Sequence, residues 1–179
     1  MSREEPSAAP PDYWSFVEAA QERIAAEFPG ADRAANRLFL SLNRASSTVT
    51  YDFESSIHRP AGSTWPGFRL MLALWVRGPL NANEAATATG MSRAAVSSLS
   101  NTLVSRGLIE RSPSETDRRL VTLSLSAEGL ARIREDFQAQ NAREAEWAAG
   151  LEPREVETLT GLLEKLMQQR RSIGAKSRR

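Results

Sequence analysis

The most pointed chemistry in the sequence is Asp117-Arg118-Arg119, two adjacent arginines behind an aspartate at the end of a run of Ser, Pro, Glu and Thr that offers no core a reason to hold them. Guanidinium groups suit the narrow, negative minor groove of DNA and its flanking phosphates. Asp117 then serves as the partner that holds one arginine extended rather than as a catalytic acid; a solvated loop is the alternative reading. A second set, Arg93, Ala94, Ser97, Ser98 and Asn101, recurs at spacings of three and four and so shares one face of a helix. Arg93 can donate two hydrogen bonds to guanine O6 and N7, or can grip a phosphate. Ser97, Ser98 and Asn101 are short polar groups that allow close approach to base edges, where the alternative is an ordinary solvated helix face.

Other chemistry is excluded by what is missing. There is no cysteine and His58 is the only histidine, which removes thiol redox sensing, Cys/His zinc sites, cysteine nucleophiles and all but one imidazole base. No glycine-rich phosphate loop, G-x-S-x-G, metal-ligand cluster or environmentally separated carboxylate pair occurs. The expectation is therefore a protein that is not an enzyme, with no catalytic residues, no cofactor and no metal. A formal net charge of +1 does not by itself point to nucleic acid, so the distribution of charge carries the argument. Between Met91 and Leu123, Arg93, Arg106, Arg111, Arg118 and Arg119 outnumber Glu110, Glu115 and Asp117. That small excess makes paired binding sites necessary for affinity. No stretch approaches the roughly 18 consecutive apolar residues of a membrane span, and the polar, Pro/Ala-rich start is unlike a signal peptide, so no membrane and a cytoplasmic home are expected.

These groups need elements to position them. Residues 1–11 read as a disordered start. Asp12 to Phe28 places Trp14, Val17, Ala20, Ile24 and Phe28 at helical spacing and stops at Pro29-Gly30. From Asp32 to about Arg59, Leu38, Leu42, Ala45, Val49, Phe53 and Ile57 form a longer stripe, ended by Pro60-Ala61-Gly62. Ser63-Thr64 can cap a third helix whose face is Phe68, Met71, Leu72 and Trp75, ended at Gly78-Pro79. Asn81-Ala82-Asn83-Glu84 has the spacing of a capping box, opening a short helix to about Thr89. Gly90 turns the chain, Ser92 caps again, and Ala95, Val96, Leu99, Leu103 and Val104 supply the next buried stripe until Gly107. Two short capped helices around a glycine turn are a helix-turn-helix signature. Leu108 to Arg111 and Leu120 to Leu125, with Ser112 to Asp117 as a loop between them, read as a hairpin in the position of a wing. Ser126-Ala127-Glu128 opens a long helix to about Ala149 with Leu130, Ile133, Phe137 and Trp147 on its apolar side. A last helix from Pro153 to about Arg171 carries Val156, Leu159, Leu163, Leu166 and Met167, followed by a basic tail over residues 172–179.

In this order, several short motifs resemble those of MarR-family transcriptional regulators. Thr64-Trp65-Pro66-Gly67-Phe68 is similar to T-x-x-x-F, and Gly78-Pro79-Leu80-Asn81 to G-P-L-T. Met91-Ser92-Arg93 with Val96-Ser97 resembles the start of the recognition helix. Arg106 to Arg111 and Asp117-Arg118-Arg119 resemble R-G-L-V-x-R and the D-R-R wing, and Leu123 to Gly129 resembles L-T-L-T-x-x-G. The likeness is close from Thr64 to Leu130 and rests on pattern alone in the flanking helices. Glu84-Ala85-Ala86 has alanine where leucine is common, implying a smaller core side chain, and Ser98 stands where arginine is frequent, departing from the usual base-reading pattern.

The resemblance implies a mainly α fold with a small β-hairpin wing: a winged helix-turn-helix over residues 63–125, with dimerisation helices over 12–62 and 126–171. The exposed residues named above, with Asn81 and Ser92 at helix starts where phosphates lie, form the candidate DNA contacts. The first and last helices have apolar stripes that one winged-helix core cannot easily bury, which points to a homodimer on a pseudo-palindromic double-stranded operator. The resemblance further implies a small aromatic or anionic effector, for which Trp14, His58, Trp65 and Arg69 are candidates; the plainer readings are a core Trp65 and a solvated His58 at a helix end. The rival function is a winged-helix module that binds proteins and has no specific affinity for DNA.

Overall fold

The computed structural model describes residues 12–113 and 121–175. The start expected to be disordered, the loop from Ser114 onward with Asp117, Arg118 and Arg119, and the tail beyond Ala175 lie outside the described residues. The chain divides into two compact units, Met1–Tyr51 and Asp52–Arg179.

In the first unit, α1 (Tyr13–Glu27) is opened by Asp12, whose side chain accepts from Ser15 N at 2.8 Å. Asp32 does the same for Ala35 N at the start of α2 (Arg33–Phe53), which runs on across the boundary. Gln21 donates to Asn36 Oδ1 at 2.8 Å, and the Arg44 guanidinium sits 5.3 Å over the Tyr13 ring. Val17 is buried, but Trp14 and Phe28 of the expected stripe are exposed, as are Phe16 and Leu38. Two helices cover only the narrow seam between them, so most of the apolar surface of this unit is left bare.

In the second unit the long helix does not continue regularly to Arg59 as its periodicity predicts. After Phe53 it widens into a π-helical turn over Glu54–His58. Single π turns of this kind are rare and occur mostly as local bulges within α-helices. Just before the turn stands Asp52, whose carboxylate receives Arg143 Nε and Nη2 at 2.7 and 2.8 Å, Trp147 Nε1 at 2.7 Å and Ser56 Oγ at 3.0 Å. The Arg143 hydrogen bonds, with those from Trp147 and Ser56, hold the Asp52 carboxyl well below the usual carboxylate range.

The unit continues with α3 (Trp65–Arg77), β1 (Leu80–Asn81), α4 (Ala82–Thr89), α5 (Arg93–Ser105), β2 (Ile109–Pro113), β3 (Val121–Leu125), α6 (Ala127–Ala148) and α7 (Pro153–Ser172). Each predicted cap forms: Thr64 accepts from Gly67 N, Ser92 from Ala95 N, and Ser126 from Gly129 N. The predicted hairpin is part of a three-stranded antiparallel sheet in the order β1-β3-β2. Leu80 pairs with Leu123 and Asn81 with Thr122, a two-residue strand too short to show any periodicity. Ser112 and Pro113, expected in the loop, extend β2 opposite Thr122 and Val121. Proline is tolerated there because β2 is an edge strand.

One core fills the space between the helices and the sheet, built on Phe68, Met71, Val96, Leu103, Leu123 and Ile133. Leu70 and Leu74 are buried in α3, whereas Trp75, expected on the core face, is exposed and meets Phe137 edge-on at 5.4 Å. The N-terminus of α6 lies so close to the start of β2 that a Cβ on Gly129 would stand 1.8 Å from the Leu108 carbonyl oxygen. Only glycine fits that approach. On α7 every described side chain is exposed except that of Leu166, which is half-buried.

Candidate nucleic-acid interface

The interface is assembled from α4, the Gly90 turn, α5 and the two strands behind them. Asn81 accepts from Asn83 N at 2.9 Å and Glu84 N at 3.1 Å, while Glu84 Oε2 accepts from Asn81 N at 2.8 Å. Gly90 then takes φ +68°, the left-handed conformation that side-chain-bearing residues rarely adopt. Thr89 stiffens the same turn: its hydroxyl donates to Ala85 O at 2.7 Å and accepts from Met91 N at 3.3 Å. Its carbonyl accepts from the Arg69 guanidinium, which also lies 5.9 Å over the Trp65 ring. Arg69 is thus a strut from α3 to the helix-turn-helix.

On α5 the buried residues are Val96, Ser100 and Leu103, and Ala85 is fully buried beside them in α4, in keeping with a small side chain at that point of the core. The opposite face exposes Arg93, Ala94, Ser97, Ser98 and Asn101, the five side chains that spacing alone groups together. Asn81 and Ser92 stand at the two helix starts, and their side-chain oxygens are taken by capping. What each can still offer outward is the Asn81 amide nitrogen and the Ser92 hydroxyl proton.

Arg111 enters the sequence reading as local charge and as the end of the R-G-L-V-x-R resemblance, but not among the candidate DNA contacts. Strand alternation puts it on the same face as buried Ile109, toward α5. From there it donates to Ser100 Oγ at 2.6 Å and to Asn101 Oδ1 at 2.7 Å. A contact between a strand and a helix ten residues earlier leaves no local pattern; the only available signal was a basic residue on the inward register of an edge strand.

Of the four effector candidates, His58 and Arg69 both lie against the Trp65 ring, whereas Trp14 belongs to the other unit. His58 is fully buried rather than solvated, 4.8 Å from the Phe68 ring and 5.7 Å from Trp65, itself half-buried. Gln140 donates Nε2 to the Glu144 carboxylate at 3.0 Å, so its oxygen is the atom that faces His58 Nε2 at 3.1 Å. A carbonyl oxygen only accepts; His58 therefore carries its hydrogen on Nε2. Nδ1, like Asp136 Oδ2, is buried with no partner among the described residues. Burial lowers the His58 pKa, against the Gln140 hydrogen bond and the charges of Asp136 and Glu54, with Arg132 adding to the lowering. Arg69 is committed to Thr89, and Trp14 is exposed on α1 in the other unit. Among the described residues no cluster of His, Cys, Asp and Glu could hold a metal ion, and no helix is long and apolar enough to cross a membrane.

The MarR family model matches residues 63–121, which span α3 to the start of β3. YwaE of Bacillus subtilis (strain 168), an HTH-type transcriptional regulator, is 30% identical over 126 residues that cover 70% of this chain and 74% of that protein. The crystal structure of a MarR family transcriptional regulator from Silicibacter pomeroyi superposes with a TM-score of 0.69 at 24% identity, covering 80% of this chain and 97% of that one. A structure concerned with regulation of DNA binding of Bordetella bronchiseptica BpsR by 6-hydroxynicotinic acid superposes with a TM-score of 0.67 at 25% identity, over 73% of this chain and 98% of BpsR. With the glycine turn, the two capped helices and the strands behind them all in place, this chain belongs to the MarR family of winged helix-turn-helix transcriptional regulators.

Proposed function

We propose that the chain represses transcription by binding a pseudo-palindromic double-stranded operator as a homodimer. Two copies of α5 enter successive major grooves, and Asp117, Arg118 and Arg119 of each wing reach the adjoining groove or backbone. The observation that carries this is the exposed polar face of α5, in which Arg93, Ala94, Ser97, Ser98 and Asn101 stand clear of the stripe that packs into the core. The dimer is supported by the apolar side chains that single units leave bare: Trp14, Phe16 and Phe28 on α1, and Leu159, Leu162, Leu163 and Met167 on α7. Residues 12–62 and 126–171 are accordingly assigned to dimerisation and 63–125 to DNA.

Effector release is the second part of the proposal, supported by the regulation of BpsR by an aromatic acid. Trp65 offers a half-buried ring with Phe53, His58 and Phe68 around it and the Arg69 guanidinium over its face. Trp14, exposed on α1, is a separate candidate. The test is retention of the chain's own promoter fragment as salt is raised. Six or more phosphate contacts per dimer give a fall in affinity of roughly a thousandfold or more between 50 and 200 mM salt. Arg118→Ala with Arg119→Ala should flatten that slope and weaken binding. Unchanged binding by the double variant overturns the proposal, and salt-independent or absent retention favours a protein-binding module instead.

A further inference from the structure

One side chain joins the recognition helix to the wing, and it determines what the helix can present. Arg111 Nη2 donates to Ser100 Oγ at 2.6 Å and to Asn101 Oδ1 at 2.7 Å, and the Ser100 hydroxyl in turn donates to the Ser97 carbonyl at 2.9 Å. Ser100 is buried, so this hydrogen bond ties the exposed Arg111 side chain to a fixed point of the helix. A guanidinium has five donors and no acceptor. The Asn101 amide is therefore oriented by chemistry: its oxygen faces Arg111 and its nitrogen faces away, with no partner for Nδ2 among the described residues.

An unencumbered asparagine is suited to adenine, donating to N7 and accepting from the N6 amino group. At Asn101 one lone pair of the accepting oxygen is already held by a cation. That positive charge lies beside the place where an adenine amino group, itself a donor, would have to approach. The exposed edge is thus donor-rich and electropositive, and the base edge that complements it carries acceptors only, as guanine does with O6 and N7. Arg93, exposed two helical turns before Asn101 on the same face, offers donors of the same kind.

We propose that Asn101, with Arg111 as its positioning residue, selects guanine rather than adenine in each operator half-site. This rests on the DNA-binding reading above. The experiment is selection of bound duplexes from a randomised library by the full chain, by Asn101→Ala, by Asn101→Asp and by Arg111→Met, with a thermal melt of each to show that it folds. The wild-type chain should enrich guanine at one step of each half-site. Asn101→Ala should lose that enrichment by about fivefold or more while the other steps keep theirs. Arg111→Met frees the amide oxygen and should move the same step from guanine toward adenine. Asn101→Asp, which Arg111 can still hold but which has no donor, should move it toward cytosine. Adenine at the Asn101-dependent step of the wild-type chain, or guanine persisting with Asn101→Asp, overturns the proposal. DNA retained with no step dependent on Asn101 overturns it alone, whereas failure to retain any duplex overturns the DNA-binding reading with it.

Discussion

At the scale of single residues, the most consequential placement is His58. It lies buried in the core with a hydrogen on Nε2, facing Gln140, and with Asp136, Glu54 and Arg132 as the charged groups that act on it. Its pKa in the folded chain lies below the ordinary histidine value near 6.5, because burial disfavours the imidazolium. The unfolded chain therefore takes up a proton first as pH falls. Stability is fully present above about pH 6.5 and is lost as pH drops from there toward the folded value, at up to about 1.4 kcal/mol for each pH unit. Thermal melts of the wild-type chain should show a midpoint that declines between pH 7.5 and 5.5, and His58→Gln should remove that part of the decline. A His58→Gln chain with an unaltered pH profile would show that other groups govern it. Nothing local marked this histidine as buried. Its place at the end of a helical stripe suggested solvent, and only the fold of α3 and α6 around it makes it part of the core.

At the scale of elements, what could be read in advance is what short-range rules govern. The Asn81/Glu84 capping box involves residues three apart, and both of its hydrogen bonds form as the spacing predicts. Its effect should be measurable, since α4 has only eight residues and helices of that length do not persist alone. Asn81→Ala should destabilise the chain by about 1 kcal/mol in urea unfolding, and Asn81→Ser, which keeps an accepting oxygen, should recover most of it. Equal loss from both substitutions would mean that the cap oxygen is not what matters. The elements that escaped are those with partners distant in sequence. The π turn over Glu54–His58 follows Asp52, whose partners Arg143 and Trp147 lie on α6 some ninety residues away. β1 exists only because Leu80 and Asn81 meet β3. The Arg111–Asn101 contact joins a strand to the helix before it, so the exposed face of α5 was legible while the state of one of its side chains was not.

At the scale of the whole molecule, the apolar stripe of α7, like the apolar side chains of α1, has no cover among the described residues. Val156, Leu159, Leu163 and Met167 are all exposed although they recur at the spacing of a buried face. A 20-residue helix gains most of its stability from packing that face rather than from its own propensity. Sedimentation equilibrium should find a dimer at micromolar concentration, and Leu159→Asp with Leu163→Asp should yield monomers. A wild-type chain that sediments as a monomer at that concentration would remove the basis for paired half-sites.

The bare stripe of α7 also bears on gene dosage. If chains must meet before two neighbouring grooves can be read, the supply of competent regulator at low abundance grows with the square of the number of chains made, not in proportion to it. A cell that halves expression of this gene then loses about three quarters of its active regulator. The promoter it controls would switch over a narrower range of protein level than independent binders allow, and the length of apolar helix left uncovered on each chain would set the copy number at which that switch falls.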